Sequence, residues 1–281
     1  MESIYAVGAS LGAIVGLILA LTGAGGAILA VPLLVFCLHL RMAEAGPIAL
    51  LAVGVSAAVG ALIGLRAGIV RYRAAAMMAA SGVLASPVGL WLAHRVPNGP
   101  LTVLFAIVLG WVAVRMFRQS RAPQPVASAA SVASTAMLPQ GPLPPCQLDD
   151  ATGRFVWTAS CTRALAASGI GAGFLSGLLG VGGGFVIVPA LRRATNAPVK
   201  TIVATSLAVI TLVSASGVVS TALAGNMNWH VAAPFAAGAM LGMLVGRLFA
   251  SRLSGQRLQQ GFAVVAGLIA IGMVVKVVLA V

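Results

Sequence analysis

The chain of 281 residues is 60% hydrophobic and only 7% charged, with a mean hydropathy of +1.07. Soluble domains carry about a quarter charged residues, so this composition excludes a globular cytosolic enzyme. The 17 Lys and Arg residues outnumber the 4 Asp and Glu residues, but they stand singly or in small groups between long apolar runs, which is typical of membrane-protein loops and not of a nucleic-acid-binding face.

Eight apolar runs predict the embedded elements of an all-α polytopic membrane protein. The middle segment, 118–163, is rich in Pro, Ala and Ser and holds Asp149 and Asp150. Such a segment cannot bury enough apolar surface to offset its chain entropy, which predicts a flexible linker. The predicted units are a first membrane repeat over 1–117, this linker, and a second membrane repeat over 164–281. The apolar runs cover about 5–38, 47–65, 74–93, 101–117, 164–191, 201–224, 231–250 and 261–280.

The two membrane units are copies of each other. An offset of 157 residues aligns them almost throughout without a gap and pairs Pro32 with Pro189. Transporters are often built from such internal duplications. The same offset pairs Gly12 with Gly169, Gly16 with Gly173, Gly23 with Gly180, Gly25 with Gly182, Gly26 with Gly183 and Gly89 with Gly246.

The first run of each repeat predicts a helical hairpin. Residues 5–38 are too long for one untilted span, and glycine clusters interrupt this run at 23–26 and its counterpart at 180–184. Glycine clusters break helices, and a proline a few residues later removes a further backbone donor. The prediction is a helix, a glycine tip and a second helix that returns to the side of entry. The alternative is one long kinked span whose glycines only allow close helix packing.

The positions of Lys and Arg favour the hairpin. If every run crosses the membrane once, nine of these residues lie on the linker side and eight on the other, which gives no orientation. If the first run of each repeat doubles back, the division becomes 14 against 3. The expected fold is therefore two inverted-topology repeats, each a glycine-broken hairpin plus three transmembrane helices. The linker is then cytoplasmic, both termini lie outside, and the expected location is the plasma (inner) membrane.

The two tips predict an anion site near the membrane midplane. The helices that follow them, near Ala27–Leu29 and Phe185–Ile187, offer unpaired N–H groups and the positive end of a helix dipole. Thr205 and Ser206 are candidate donors to an oxyanion, although hydroxyls in spans commonly bond a carbonyl of their own helix. The candidate substrate-binding residues are Thr22, Gly23, Gly25, Gly26, Gly180, Gly182, Gly183, Gly184, Thr205 and Ser206, with Pro32 and Pro189 as structural hairpin residues.

Substitutions separate the two roles that glycine can have in these hairpins. If the tips bind the anion, Gly25→Val or Gly182→Val abolishes transport in a protein that still inserts. Gly16→Ala, on the helix before the tip, is expected to be milder. Equal damage from both kinds of change would make the glycines packing elements.

Other chemistries lack their residues in this sequence. None of the four acidic residues lies inside an apolar run, so a carboxylate relay for protons or sodium is not expected, and no GxxxxGK[ST] motif is present. Cys37, Cys146 and Cys161 form no CxxC or Cys/His cluster, which argues against a disulfide framework or metal site. We expect no enzyme activity and no cofactor, with a small anion and the lipid bilayer as partners. The alternatives are a non-transporting assembly protein and an intramembrane enzyme.

Two motifs resemble the TauE/SafE sulfite exporter family. They are Gly12-x3-Gly16-x6-Gly23-x-Gly25-Gly26-x5-Pro32 and its copy Gly169-x3-Gly173-x6-Gly180-x-Gly182-Gly183-x5-Pro189. The segment 200–207 is similar to that family's Ala-Thr-Ser-Leu signature after the hairpin. In the first repeat Pro47, Ile48 and Ala49 replace Ala-Thr-Ser, and Ser56 is the nearest hydroxyl.

The resemblance implies export of sulfite or of small organosulfur anions such as sulfonates. An inside-negative potential of 100 mV favours outward movement of each negative charge by about 2.3 kcal/mol. An anion exporter therefore needs no dedicated proton carboxylate.

Overall fold

The computed structural model describes residues 2–22, 26–121, 146, 157–225, 227–249 and 255–279, and within these ranges it contains α-helices and no β-strand. Six of the helices are long and apolar enough to cross a membrane. The prediction of an all-α polytopic membrane protein is confirmed. The helices are α1 Glu2–Thr22, α2 Ala27–Cys37, α3 Met42–Arg66, α4 Tyr72–Arg95, α5 Asn98–Arg121, α6 Ala159–Leu179, α7 Gly184–Ala194, α8 Val199–Leu223, α9 Trp229–Phe249 and α10 Gly255–Leu279.

Helix boundaries repeat along the chain. The first three helices have 21, 11 and 25 residues, and so do α6, α7 and α8. Each helix of the second set begins 157 residues after its counterpart, including α9 and α10. Helical structure extends beyond the predicted repeat boundaries, because α5 reaches Arg121 and α6 starts at Ala159. Between these two residues the structure describes only Cys146, Trp157 and Thr158.

The two sets of helices interleave. Helix α1 packs along α9 and α6 packs along α4, while α3 packs on α8 and α5 packs on α10. Helices α3 and α8 cross antiparallel, since Gly54 lies against Ser214 and Gly64 lies against Ala204. By contrast α4 and α6 run parallel, with Met78 beside Gly169.

Each long first helix is followed by a short one. At 1.5 Å per residue, the 21 residues of α6 extend about 31 Å and the 11 residues of α7 about 16 Å. Cys146 forms a disulfide with Cys161 in the first turn of α6, and its N–H donates to the carbonyl of Ala194 at the end of α7 (2.9 Å). The end of α7 thus lies beside the start of α6, so these two helices form a hairpin.

The Cys146–Cys161 disulfide corrects the expectation drawn from the cysteine pattern. Motif spacing identifies frameworks of several bridges and metal sites, whereas a single bridge requires only that two Cα atoms lie about 4.4–6.8 Å apart. Here that distance is 4.8 Å, and it depends on how the chain near Cys146 lies against α6 and α7. The third cysteine, Cys37, is free and exposed.

Glycines form close seams between parallel helices. Gly169, Gly173 and Gly177 of α6 face the backbone of α4, where added Cβ atoms would overlap carbonyl oxygens. Gly12 and Gly16 of α1 face α9 in the same way. Small residues allow such backbone approach where the bilayer supplies no hydrophobic driving force between helices. The expectation that Gly16→Ala is mild is therefore wrong, because the sequence does not show which glycines face a neighbouring helix.

We expect Gly173→Ala to lower the melting temperature of the purified protein. The added Cβ would lie 2.5 Å from Cα of Gly82, and such overpacking typically destabilises by about 1–3 kcal/mol. Gly171→Ala is the matched control on the same helix, since a Cβ there meets no atom within 4 Å. Equal melting temperatures for the two variants would contradict the seam.

Candidate functional site

The tip of the second hairpin is built from left-handed backbone. Gly180, Gly182 and Gly183 have φ values of +71°, +72° and +67°, a region that side chains other than glycine enter at a cost of about 1–2 kcal/mol. Gly180 ends α6, with its N–H donating to the carbonyl of Ser176 at 2.8 Å. Gly183 is the N-cap of α7. The glycine cluster thus ends one helix and starts the next within four residues.

This tip reaches the middle of two full-length spans. Gly180 packs against Gly46 near the start of α3. A Cβ on Gly182 would lie 3.1 Å from both Val53 Cγ1 and Ser214 Oγ. Val53 and Ser214 stand near the midpoints of α3 and α8, which have 25 residues each. The chain therefore turns into α7 halfway along the two helices that cross at the centre of the protein.

Helix α7 begins at Gly184, near the midpoints of α3 and α8. No side chain caps it, since its N-cap is Gly183. The first N–H groups of a helix have no partner within the helix and carry the positive end of its dipole. The start of α7 is therefore a glycine-flanked helix end without a side-chain cap.

Three serine hydroxyls in α3, α6 and α8 are buried without a hydrogen-bonding partner among the described residues: Ser56, Ser176 and Ser214. Each residue is 0% exposed. Ser214 adjoins Gly182, Ser176 lies in the last turn of α6, and Ser56 follows Val53 by one turn of α3. Buried polar groups are normally satisfied, so a buried hydroxyl without a partner needs a physical reason, such as a ligand.

Neighbouring hydroxyls on α8 behave differently. Thr211, Ser216 and Ser220 each donate to a carbonyl of their own helix at 2.8 or 2.9 Å. This is the usual arrangement for hydroxyls in spans. Ser214 on the same helix does not follow it, which distinguishes this hydroxyl from the rest.

The predicted hydroxyl donors lie elsewhere. Thr205 Oγ1 accepts a hydrogen bond from the N–H of Arg71 (3.1 Å), and Ser206 Oγ donates to the carbonyl of Val203 (2.8 Å). Nine residues of α8 separate Thr205 from Ser214, about 14 Å along the helix. The structure thus places Thr205 at the connection between α3 and α4 and does not bring it to Gly182.

The first hairpin tip is described only at its ends. Thr22 Oγ1 donates to the carbonyl of Ile18 (2.7 Å) and accepts from the N–H of Gly26 (3.0 Å). Gly26 packs closely on α1 at Leu19 and, with φ of −57°, is right-handed. Gly23 and Gly25 lie outside the described residues.

The remaining predicted residues lie in the short helices of the two hairpins. Gly184 begins α7, and Pro32 and Pro189 lie inside α2 and α7. Ile28, Leu29 and Val31 of α2 are at most 2% exposed, so this helix is buried inside the protein. Sequence reasoning missed Ser176 altogether, because a single serine in an apolar run gives no signal.

The donors at the tip are all uncharged. Hydroxyl and backbone N–H groups can donate hydrogen bonds to an anion. Within the described ranges, no three His, Cys, Asp or Glu residues come together as they would in a metal site.

Comparison with known proteins agrees with a transport role. The family described as "Sulfite exporter TauE/SafE" matches residues 8–273 of the chain. A "Probable membrane transporter protein" of Xylella fastidiosa is 29% identical over 251 residues, covering 88% of this chain and 85% of the relative. The "Probable membrane transporter protein YunE" of Bacillus subtilis is 28% identical over 243 residues, covering 84% and 85%.

No solved structure matches the chain significantly. The family match covers nearly the whole chain, both hairpins included, and the relatives are named as membrane transporters and not as enzymes. The chain therefore belongs to the TauE/SafE sulfite exporter family and is a membrane transporter.

Proposed function

We propose that the protein exports small sulfur oxyanions, sulfite or sulfonates, from a site at the tip of the second hairpin. The observation that carries the proposal is the buried, unpartnered hydroxyl of Ser214 beside the left-handed Gly182, with two further unpartnered hydroxyls, Ser176 and Ser56, on α6 and α3. Sulfite and sulfonate groups each present three oxygen acceptors, and hydrogen bonds to a charged acceptor are about twice as strong as neutral ones. The family name supports the substrate class.

The absence of charged side chains at the tip favours release of the transported anion. An arginine in this position would form a salt bridge with the anion and slow its release. Serine hydroxyls and backbone N–H groups carry no net charge, so they bind the anion by hydrogen bonds alone. The membrane potential then drives the negative charge outward, by about 2.3 kcal/mol per charge at 100 mV. This is why we infer an exporter with no coupled carboxylate.

We further propose that the two repeats are inverted in the membrane. Antiparallel packing of the equivalent helices α3 and α8 supports this relation, as does the return of α7 to the side where α6 begins. An inverted pair of half-helices directs both tips toward the membrane midplane from opposite faces. Access to a central site can then alternate between the two sides.

Flux measurements test the transport proposal directly. Proteoliposomes containing the purified protein are expected to release trapped sulfite faster when a potential negative inside is imposed. A compound of similar size that carries a positive charge, such as choline, should remain trapped. If proteoliposomes retain sulfite as long as protein-free liposomes do, the transport proposal is contradicted and an assembly role is favoured.

Orientation is tested on intact cells by labelling one introduced cysteine at a time in a Cys37→Ser background, where the remaining Cys146 and Cys161 are joined in a disulfide. We expect an impermeant maleimide to label Ala224→Cys and not Ala67→Cys, both of which are exposed loop positions. The reason is the excess of Lys and Arg on the side of Ala67, 14 against 3. In this proposed orientation Cys146–Cys161 lies on the cytoplasmic side with Ala67, whereas disulfides are typical of oxidising compartments. The opposite labelling pattern would therefore place the disulfide outside and overturn this orientation.

A further inference from the structure

An open cleft of about 590 Å³ lies between the C-terminal halves of α5 and α7. Arg115 and Arg118 line it from α5, and Arg192 and Arg193 line it from α7. Apolar side chains, Trp111 among them, complete its wall. None of the described residues that line it is acidic. Four positive charges therefore face one cleft without an opposing charge on its described wall.

Such a cluster calls for an anion. Arginine keeps its charge in proteins, so the mutual repulsion of the four guanidinium groups is not relieved by deprotonation. Arg192 Nε is buried and has no hydrogen-bonding partner among the described residues. The guanidinium of Arg115 stacks over the ring of Trp111 at 5.1 Å, which holds it in place at the cleft. A planar guanidinium group can donate two parallel hydrogen bonds to two oxygens of one phosphate group.

The surroundings of the cleft indicate which anion it takes. The apolar span of α5 covers Gly99–Arg118, so the cleft lies where that span ends, at the level where Trp and Arg are enriched in membrane proteins. An apolar strip on one face of α5 leads to it along the membrane direction, with side chains that are 39–62% exposed. The strip consists of Leu104, Ile107, Trp111 and Val114.

We propose that the cleft binds the phosphate of an anionic phospholipid, with the acyl chains lying along the strip on α5. Inorganic phosphate has the same oxygens, but it has no acyl chain that could pack on the apolar strip. Helix α7 carries Arg192 and Arg193 at one end and the Gly183 cap at the other. A bound headgroup therefore anchors at the membrane surface the short helix whose other end forms the hairpin tip. The proposal does not depend on which anion is transported.

The test uses the full-length protein purified in a neutral detergent. Adding phosphatidylglycerol is expected to raise its melting temperature in a saturable way, while phosphatidylcholine has no such effect. In the variant Arg192→Gln/Arg193→Gln, the half-saturating concentration of phosphatidylglycerol should rise about tenfold or more, because charge-assisted hydrogen bonds are lost. Arg118→Gln, an exposed position on the facing helix, should shift it in the same direction.

Two controls decide the result. Arg95→Gln removes another arginine that stacks on a tryptophan, Trp91 at 4.3 Å, but it lies outside the cleft and should leave the lipid response unchanged. Inorganic phosphate alone should not reproduce the response at matched concentrations. An equal response to phosphatidylcholine, an undiminished response in both cleft variants, or full replacement of the lipid by inorganic phosphate would overturn the proposal.

Discussion

Gly182→Val is expected to abolish sulfite flux in a protein that still inserts into the membrane. The new Cβ would lie 3.1 Å from Val53 Cγ1 and Ser214 Oγ and 3.2 Å from Ile210 Cγ2, and valine adds two further methyl groups at this close contact with a hydroxyl of the proposed site. The left-handed φ of +72° adds backbone strain of about 1–2 kcal/mol or more for a β-branched residue. Flux in proteoliposomes, normalised to inserted protein, measures the loss.

Gly68→Val is the matched control for this variant. Its φ of +67° imposes similar backbone strain, but a Cβ at this position meets no atom within 4 Å. It should reduce stability without abolishing flux. Normal flux in Gly182→Val, or the same complete loss in Gly68→Val, would show that the tip does not contribute specifically to transport.

Ser214→Ala, Ser176→Ala and Ser56→Ala are expected to weaken sulfite binding and leave the fold intact. A hydrogen bond to a charged group contributes about 1.5–3 kcal/mol, so each variant should raise the dissociation constant for sulfite roughly ten- to hundredfold. A buried hydroxyl without a partner costs the empty protein about 1–3 kcal/mol. The melting temperature without ligand should therefore stay the same or increase.

Opposite changes in binding and stability distinguish a ligand role from a packing role. Ser216→Ala is the control, because that hydroxyl already donates to the carbonyl of Val213 on its own helix. It should change neither quantity appreciably. Weaker binding accompanied by a lower melting temperature in all three tip variants would instead mean that the serines hold the structure together.

Most of the helical organisation could be predicted from the sequence, because it depends on local composition. Apolar runs and glycine clusters fix where helices begin and end, so the 157-residue offset found in the sequence recurs in the helix starts. The hairpin could be predicted from the positions of Lys and Arg, because these residues gather on one side of the membrane only if the first apolar run of each repeat doubles back.

The sequence does not show which glycines pack against a neighbouring helix and which form the turn of the hairpin. Gly16 and Gly182 belong to the same motif, yet Gly16 faces the backbone of α9 while Gly182 forms a left-handed turn. Both roles depend on neighbours that are distant in sequence. The partnership of Cys146 with Cys161 has the same origin, because it requires the chain near Cys146 to pack on the end of α7.

Sequence reasoning noted Ser56 as the nearest hydroxyl of the first repeat, but it singled out neither Ser176 nor Ser214 as a binding residue. A search guided by the repeat expects equivalent hydroxyls in both halves, but Ser176 corresponds to Leu19 and Ser214 corresponds to Ala57. The site proposed here is therefore asymmetric and centred on the second hairpin. Thr205 was predicted as a donor to an oxyanion, whereas in the structure its oxygen accepts a hydrogen bond from the backbone N–H of Arg71.

Equilibrium binding of sulfite to the purified protein tests the central claim most directly. We predict saturable binding that a small sulfonate displaces and chloride does not, and that disappears when Ser56, Ser176 and Ser214 are all changed to Ala in a protein that keeps its melting temperature. Saturable sulfite binding of unchanged affinity in that triple variant would contradict the account, because the anion would then be held somewhere other than the tip of the second hairpin.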